Sequence, residues 1–593
     1  MKKMFCKISV ILMLAVLIAV GSVSAEPWKF GVISDTQWTK ADDGKNPNTC
    51  AADIIKQVDQ QFIASGVKLV VHVGDMVDSG SQINDYTRAL YAQDLYNAGI
   101  GFYPLRGNHE AAHGSYLDSG ADYRYAYPQI VPGPDAGVNN DTPGDITSAI
   151  IPAADLNPIT GNPPADKTNP NTFTAGADFS APDAVNAYTG GVSYSFRYNN
   201  ATFVLLDQFK SPDYYTSYVP DQQPWIDETL LNRPAHTHAF AFTHKNILGG
   251  NHKDNMFGGQ VTPNDPGDGY GLDIALLSPA EKAALEAKQD AENAFFASMQ
   301  DNLVKYVISG HDHHHYNSVV TSPDGLSKVH QLITQSDSSK FYTPGLPVSA
   351  NDVPVEQDLS KIGYYIFTVD GPRVTIDYYA DDHDDWTGSS PVTTPTLNFS
   401  KRSSTGYSLN GKENIVAQGA SYVMTDNTSI ARSMEHGFAG TSMAILDGIN
   451  GSTATTNYGK ATEKAVNTGW APQNMRTGKH CDDPASDILI LWGMADLGTE
   501  QTDVYTLSMS YDHHKLLPIQ LGKGMLGLAT KNENGEWVNA VDMNSGGAKK
   551  FILGPWKPGY KLGTYGINLK THTAWAVIDR AGDFAVAGFR HFR

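Results

Sequence analysis

Cysteine is scarce in this 593-residue chain, which contains only Cys6, Cys50 and Cys481. No two of them have the spacing of a zinc-binding or redox motif, which excludes a thiolate metal site. Cys6 lies in a predicted leader segment. The mature chain would therefore contain only Cys50 and Cys481. They could form one disulfide in an oxidising compartment or stay as two free thiols.

Positive charge and long apolar runs are also in short supply. The formal net charge is −20, which argues against general nucleic-acid binding. One apolar run, residues 8–20, follows a lysine-rich start and precedes the small residues Val23-Ser24-Ala25. This pattern predicts a signal peptide over 1–25. No later run is long enough to cross a membrane, so we expect a soluble protein in the periplasm or outside the cell, with no membrane contact after cleavage.

The length is too great for a single core and predicts more than one domain. Residues 26–386 alternate strand and helix patterns, which favours a parallel sheet covered by helices. Insertions rich in small and turn-forming residues interrupt it near 114–191 and 246–277. A Ser-, Thr- and Pro-rich stretch over 387–405 predicts a linker. Short apolar runs between turn signals over 406–593 predict an accessory all-β domain, a sandwich or a barrel.

Polar residues follow short apolar runs at five places in the first domain. They are Asp35-Thr36-Gln37, Gly74-Asp75, Gly107-Asn108-His109-Glu110, Thr243-His244 and Gly310-His311-Asp312-His313. Apolar runs bounded by turn residues are typical of buried strands. Open α/β sheets place their chemistry at the carboxyl ends of such strands, so we expect these side chains to meet at one edge.

The side chains at these places include seven oxygen and nitrogen donors: Asp35, Gln37, Asp75, Asn108, His244, His311 and His313. Carboxylates, amides and imidazoles suit cations such as Mn, Fe, Zn or Ni. Seven donors fit two cations better than one, provided that a carboxylate bridges them. Two cations about 3.5–4 Å apart clamp a phosphoryl group and generate hydroxide from water. An aspartate after a strand is by itself more often a turn or helix cap; the four companion motifs favour the metal interpretation.

Taken in order, these motifs resemble those of the calcineurin-like metallophosphoesterase superfamily, over residues 28–386. The resemblance implies a β-sandwich flanked by helices and a dinuclear site for divalent or mixed-valence ions. One ion would be held by Asp35, Gln37, Asp75 and His313, and the other by Asp75, Asn108, His244 and His311. Asp75 would bridge them, and a bridging hydroxide would be the nucleophile.

The same resemblance implies roles for three neighbouring residues. His109 would protonate the leaving oxygen, Asp78 would orient His109, and Arg106 would bind phosphate. The alternative for Arg106 is a pair with an acid such as Glu110. Gln37 departs from the histidine of many members, and its neutral amide would lower the affinity for the first metal.

Three further polar residues near the motifs have less specific interpretations. Lys245 is expected to be solvated, with phosphate binding as its alternative. His314 and His315 are expected at the surface or behind the ligands.

Two functions follow from these patterns. The first is an exported phosphoesterase that hydrolyses a phosphomonoester or phosphodiester substrate. The alternative is an extracellular surface or carbohydrate-binding protein, in which the phosphoesterase domain is vestigial and the C-terminal domain makes the contact.

Overall fold

The structure is a computed structural model in which only part of the chain is described. The described residues are 26–37, 50–78, 82–111, 123, 126–127, 130, 175–182, 192–210, 213–252, 254–258, 277–338, 340–342, 344, 351–381, 396–409, 412–416, 421–424, 441–447, 464–469, 481–486, 488–492, 498, 501–511 and 524–589. The predicted signal peptide and most of the two predicted insertions lie outside them.

The first domain contains sixteen described strands, in chain order. They are β1 (Trp28–Ile33), β2 (Leu69–His72), β3 (Gly101–Pro104), β4 (Ala177–Ser180), β5 (Tyr194–Tyr198), β6 (Ala201–Leu206), β7 (Phe209–Lys210), β8 (Asp213–Ser217), β9 (His238–Thr243), β10 (Tyr306–Ser309), β11 (His315–Thr321), β12 (Lys328–Ile333), β13 (Asp352–Asp358), β14 (Gly363–Asp370), β15 (Arg373–Ala380) and β16 (Ser400–Ser408). Its described helices are α1 (Ala52–Ser65), α2 (Gln82–Tyr91), α3 (Gln93–Asn97), α4 (Asn108–Ala111), α5 (Gln223–Leu231), preceded by a 3-10 turn at Pro220–Gln222, and α6 (Pro279–Asp301).

These strands form two large sheets and a small hairpin of β7 and β8. The order in one sheet is β16-β15-β14-β1-β2-β3, and in the other β13-β11-β12-β10-β9-β6-β5-β4. Strands β1, β2 and β3 are parallel, as are β6, β9, β10 and β12. Parallel neighbours place their carboxyl ends at the same edge of a sheet, and here those ends carry the predicted ligands.

Aromatic residues join the two sheets face to face. The ring of Phe30 in β1 stacks on Phe367 of its own sheet at 4.6 Å and meets Phe240 and Phe203 of the other sheet at 4.9 and 5.1 Å. All four side chains are fully buried. The sheets therefore share one core, which fixes their strand ends relative to each other.

Helices cover the outer faces, as the periodicity predicts. Helix α1 buries Ile54, Val58 and Phe62 against the first sheet. Helix α6 buries Phe295 and Phe296 against the second. Its N-terminus has the predicted capping box between Ser278 and Glu281. The predicted fold class, an α/β sandwich of two sheets flanked by helices, is confirmed.

The C-terminal part is all-β in its described residues, except for a 3-10 turn at Ala540–Met543, and this prediction is also confirmed. Its strands are β17 (Lys412–Val416), β18 (Ser421–Met424), β19 (Thr441–Asp447), β20 (Lys464–Gly469), β21 (Cys481–Pro484), β22 (Ile488–Trp492), β23 (Gln501–Ser510), β24 (Leu526–Lys531), β25 (Trp537–Asn539), β26 (Lys550–Leu553), β27 (Thr564–Asn568), β28 (Thr573–Arg580) and β29 (Gly582–Phe589). They form two sheets, one built around β22, β29 and β24 and the other around β19, β23 and β28. A core of residues from both sheets joins them.

The predicted linker over 387–405 is wrong at its C-terminal end. Residues 400–405 belong to β16, which pairs with β15 along its whole length and forms an edge of the first sheet. Serine and threonine suit a half-exposed edge strand as well as a linker, so composition did not separate the two. The other proposed domain boundaries stay predictions. No described helix is long and apolar enough to cross a membrane.

Candidate metal centre

The five predicted motifs meet where the strand ends of the two sheets converge. Backbone hydrogen bonds tie the segments together: Asp35 donates to Gly74, Gln37 donates to Asp75, and Gly310 donates to His244, each over 3.0 Å. The last of these joins the loops that follow β9 and β10. The loops are therefore held by their backbones, independently of what their side chains bind.

One cluster of donors consists of Asp35, Asp75 and His313. All three are buried, and one candidate ligand atom from each lies within 4.8 Å of the other two. His313 Nε2 is 3.3 Å from Asp35 Oδ1. The amide nitrogen of Gln37 lies 3.2 Å from Asp75 Oδ2 and 3.4 Å from His313 Nε2, so Gln37 joins this cluster.

A second cluster consists of Asp75, His244 and His311, again with ligand atoms within 4.8 Å of one another. His244 Nε2 is 3.2 Å from Asp75 Oδ1 and 3.0 Å from Asn108 Oδ1. Asp75 therefore belongs to both clusters, with Oδ2 beside Gln37 and Oδ1 beside His244. The structure brings together all seven predicted donors, and their partition is the one that the resemblance implies.

Backbone carbonyls orient two of the imidazoles. His244 Nδ1 donates to the carbonyl of Val73 over 2.8 Å, and His313 Nδ1 donates to the carbonyl of Lys340 over 2.6 Å. Each bond leaves Nε2 facing the carboxylates. Histidines that bind metals are commonly held in this way.

The backbone at the centre adopts conformations that side chains usually avoid. Asp35, Asp75, His311 and His313 have φ values of 50°, 53°, 71° and 54°. A left-handed residue other than glycine costs roughly 1–2 kcal/mol, and such strain concentrates at functional sites. Four of the seven predicted ligands are thus held in strained conformations by the surrounding fold.

Gly107 shows how closely the loops approach each other. A Cβ atom on Gly107 would lie 2.2 Å from both the backbone nitrogen and Oδ1 of Asp75. Neither atom is the end of a flexible chain, so no larger residue fits. The glycine in Gly-Asn-His-Glu is required to bring this loop against the shared carboxylate.

The charges at the centre suit a cation. Burial raises the pKa of Asp75, but His244 and His109 more than reverse this and hold it well below its usual value. Burial lowers the pKa of His244, but Asp75 raises it to about 9. Burial, helped by His252, lowers the pKa of His311 to about 4. A proton on His244 thus balances the charge of Asp75, and metal ions compete with protons for such ligands.

His109 lies at the more open side of the centre, with 24 % of its side chain exposed. Its Nε2 is 3.8 Å from Asp75 Oδ2. Its Nδ1 donates to the backbone carbonyl of Asp78 over 2.7 Å, while the Asp78 carboxylate is 3.9 Å away. Asp78 thus contacts His109 mainly through its main chain, whereas the resemblance implies its carboxylate.

Arg106 is fully buried and forms a two-point ion pair with Asp207. Its Nε and NH2 atoms bind Asp207 Oδ2 and Oδ1 at 2.7 and 3.0 Å, and NH2 also donates to the carbonyl of Phe209. The sequence left two interpretations of Arg106, phosphate binding or a pair with an acid such as Glu110. The structure shows an acid pair, and the acid is Asp207. We therefore assign Arg106 a structural role and no phosphate contact.

Glu110 has a role that sequence reasoning missed. Its buried carboxylate accepts the backbone N–H groups of Asp75, Val77 and Gly107 over 3.1, 2.9 and 2.7 Å. It therefore binds the Gly-Asp loop to the Gly-Asn-His-Glu loop. The motif itself carried the signal, since Glu110 is its last residue.

The loop after β9 contributes a second group of residues that the sequence did not reveal. Asp254 Oδ1 lies 3.2 Å from His311 Nε2, and Asp254 Oδ2 lies 2.5 Å from Lys245 Nζ. The expectation that Lys245 is solvated is wrong, because its side chain is buried. Asp312 accepts from His252 Nδ1 over 2.7 Å, which fixes this loop beside His311.

His314 and His315 are buried behind the ligands, so the surface alternative is wrong for both. His314 Nδ1 donates to the carbonyl of Asp312. His315 lies between the hydroxyl of Tyr365 and the carboxylate of Glu356.

The donor set fits a pair of metal ions. It offers buried carboxylates and imidazoles, the buried amide of Gln37 and the half-buried amide of Asn108, which suits Mn, Fe, Zn or Ni. Gln37 Oε1 is buried with no hydrogen-bond partner, and an orphaned amide oxygen is uncommon unless an ion or water binds there.

Residues 29–315 match the family model described as calcineurin-like phosphoesterase. This part of the chain belongs to that family. Residues 29–315 are therefore a metallophosphoesterase domain, of the class that hydrolyses phosphoric ester bonds. The motifs that carry the sequence resemblance all lie within the matched region.

Solved structures of phosphatases show weak similarity. PhoD is 15% identical, with 64% of this chain and 70% of that chain covered and a TM-score of 0.34. Purple acid phosphatase PPD1 from yellow lupin is 12% identical, with 63% of this chain and 57% of that chain covered and a TM-score of 0.31. A dimetal phosphatase from Danio rerio is 14% identical, with 59% of this chain and 95% of that chain covered and a TM-score of 0.29. No curated protein matches the sequence. Scores this low carry no weight for function, so the assignment stands on the family match.

Proposed function

We propose that the protein is an exported, metal-dependent phosphoesterase with a dinuclear centre. The observation that carries the proposal is the position of Asp75, whose two oxygens belong to two separate clusters of buried donors. Asp35, Gln37, Asp75 and His313 would hold one ion. Asp75, Asn108, His244 and His311 would hold the other. Two such ions supply a nucleophilic water and neutralise phosphoryl charge.

The remaining chemistry falls to His109. The Asp78 carbonyl holds its Nδ1 proton, so Nε2 is the atom that can deliver a proton to the leaving oxygen. Hydrolysis forms one P–O bond from water and breaks the ester P–O bond, and the departing alkoxide takes the His109 proton. A positioned acid of this kind contributes roughly 10²–10⁴-fold to the rate.

The first experiment combines metal analysis with hydrolysis of aryl phosphate mono- and diesters by the purified chain. We expect about two metal ions per chain and hydrolysis of at least one ester class. His109→Asn should lose roughly 10²–10⁴-fold in kcat with its metal content unchanged. His236→Asn is the matched control, because His236 is exposed and belongs to neither cluster. Metal-free protein that stays inert after addition of Mn or Zn would overturn the proposal and favour the binding-protein alternative.

Export is the second part of the proposal and rests on the sequence of residues 1–25. A cleaved leader predicts that the mature chain begins at Glu26. Mass spectrometry of the protein from the native cell's periplasm or medium tests this. An intact N-terminus in a cytoplasmic fraction would contradict it.

A further inference from the structure

Lys340 and Tyr342 border the metal centre in the segment that follows β12. The Lys340 carbonyl accepts the Nδ1 proton of His313. The ring of Tyr342 lies 4.7 Å from the ring of His313 and meets His252 edge-on at 4.9 Å. Both residues are half-buried, whereas His313 is buried. Their side chains therefore stand between the ligands and the exterior.

Lys340 brings a positive charge to this border. Its Nζ lies over the Tyr342 ring, 5.9 Å from the ring centre. A lysine ammonium is charged at neutral pH, so the Lys340 side chain places a positive charge beside the ring that packs on His313.

No carboxylate forms an ion pair with this ammonium within the part of the chain that the structure describes. Lys245 differs, because its ammonium is bound to Asp254. A charged group beside a phosphoesterase centre, without a carboxylate partner, has its hydrogen-bond donors available for a ligand. Lysine binds phosphate oxygens as a point charge.

We infer that the Lys340 side chain contacts the phosphoryl group and makes the site selective for phosphomonoesters over phosphodiesters. The inference rests on the proposed function. At neutral pH a monoester carries a charge of about −1.5 to −2, whereas a diester carries one negative charge. Because Coulomb attraction scales with the ligand's charge, an additional cation favours the monoester.

Tyr342 acts as a positioning residue in this arrangement. Its ring packs on His313, and the Lys340 ammonium lies over the same ring, at a distance where an aromatic face attracts a cation. Replacing Tyr342 by Leu removes this aromatic face. We expect Tyr342→Leu to have the same effect as loss of the Lys340 ammonium, at smaller magnitude.

Mutation can distinguish a purely structural role of Lys340 from the proposed contact with phosphate. Its contact with His313 uses the backbone carbonyl, which every substitution retains. Lys340→Met therefore removes the charge and keeps the ligand's orientation, and Lys340→Arg restores a cation. Lys328→Met is the matched control, since Lys328 is exposed at the start of β12.

The test measures kcat and KM for an aryl phosphomonoester and an aryl phosphodiester in the full metal-loaded chain. Calorimetry measures the binding of inorganic phosphate. We expect Lys340→Met to raise the monoester KM roughly tenfold, the size of one lost charge-assisted hydrogen bond, with unchanged metal content. The diester KM should change less, Lys340→Arg should recover most of the loss, and phosphate binding should weaken in parallel.

Different results overturn different claims. Equal changes for both esters, no change for either, or a wild-type preference for diesters would overturn the role of Lys340. If the wild type hydrolyses neither ester, the proposed function fails. Phosphate binding then still tests Lys340: weaker binding by Lys340→Met would support the contact, and equal binding would overturn it.

Discussion

The ion pair between Arg106 and Asp207 gives the most specific prediction about the stability of the centre. Both side chains are fully buried, and two hydrogen bonds join them. Removing one member of a buried pair leaves an uncompensated charge and costs about 3–5 kcal/mol of folding free energy. We expect Arg106→Met and Asp207→Asn each to destabilise the protein by this amount.

The double variant should be less damaging than the two single losses combined. It leaves no unpaired charge, so we expect a coupling free energy of about 2 kcal/mol, within the range for contacting residues. Urea unfolding of the four full-length proteins, followed by tryptophan fluorescence and circular dichroism, measures it. The reasoning would be refuted if Arg106→Met kept wild-type stability but raised KM at least tenfold. That result would show that the guanidinium binds phosphate.

Three further predictions concern separate features of the first domain. Gly107→Ala should abolish metal binding, because its Cβ would overlap the backbone and carboxylate of Asp75. Asp254→Asn should weaken binding of one metal ion roughly 10–100-fold, as expected when the partner of a liganding histidine is lost; isothermal titration with Mn measures it. Burial raises the pKa of Asp59 to about 8, although Arg88 opposes this. A protonated Asp59 stabilises the fold fully below pH 3.8, and this stabilisation is lost as pH rises through 8. Asn cannot ionise and keeps it. The free energy of unfolding of Asp59→Asn should therefore rise relative to that of wild type between pH 5 and 8, by more than about 1.4 kcal/mol.

Each of these has a control or a contrary outcome. Gly546→Ala should bind metal normally, because no atom lies within 4 Å of the Cβ that it adds. For Asp254→Asn, unchanged affinities for both ions would show that His311 does not depend on this contact. For Asp59, parallel pH profiles of the variant and wild type would contradict the shifted pKa.

The sequence was sufficient to predict the parallel strands and the donors at their ends. The apolar runs before Asp35 and Asp75 form β1 and β2, which lie side by side. Parallel pairing then brings the two aspartates together without any information about side-chain packing. The order of the motifs supplied the rest of the donor set through family resemblance.

The partners of these donors were harder to predict because they come from distant segments. Asp207 lies 101 residues from Arg106, and no local pattern links them. Asp254 and Lys245 lie in a loop without periodicity, so their burial depends on the packing of that loop against His311. Family resemblance placed the Asp78 carboxylate beside His109 but did not indicate that the closer contact is through its carbonyl.

Strand β16 illustrates a limit of composition. Its residues Ser403 and Ser404 read as part of a linker, yet they donate hydrogen bonds to Glu356 and Asp377. Short polar side chains are equally suited to a flexible segment and to an edge strand with acidic neighbours. Only the pairing with β15 separates these two structures.

Anomalous diffraction from crystals of the full chain grown with Mn tests the central claim most directly. The account predicts two peaks, one beside Asp35 and His313 and one beside His244 and His311, with Asp75 between them. A single peak, or two peaks that do not share Asp75, would contradict it.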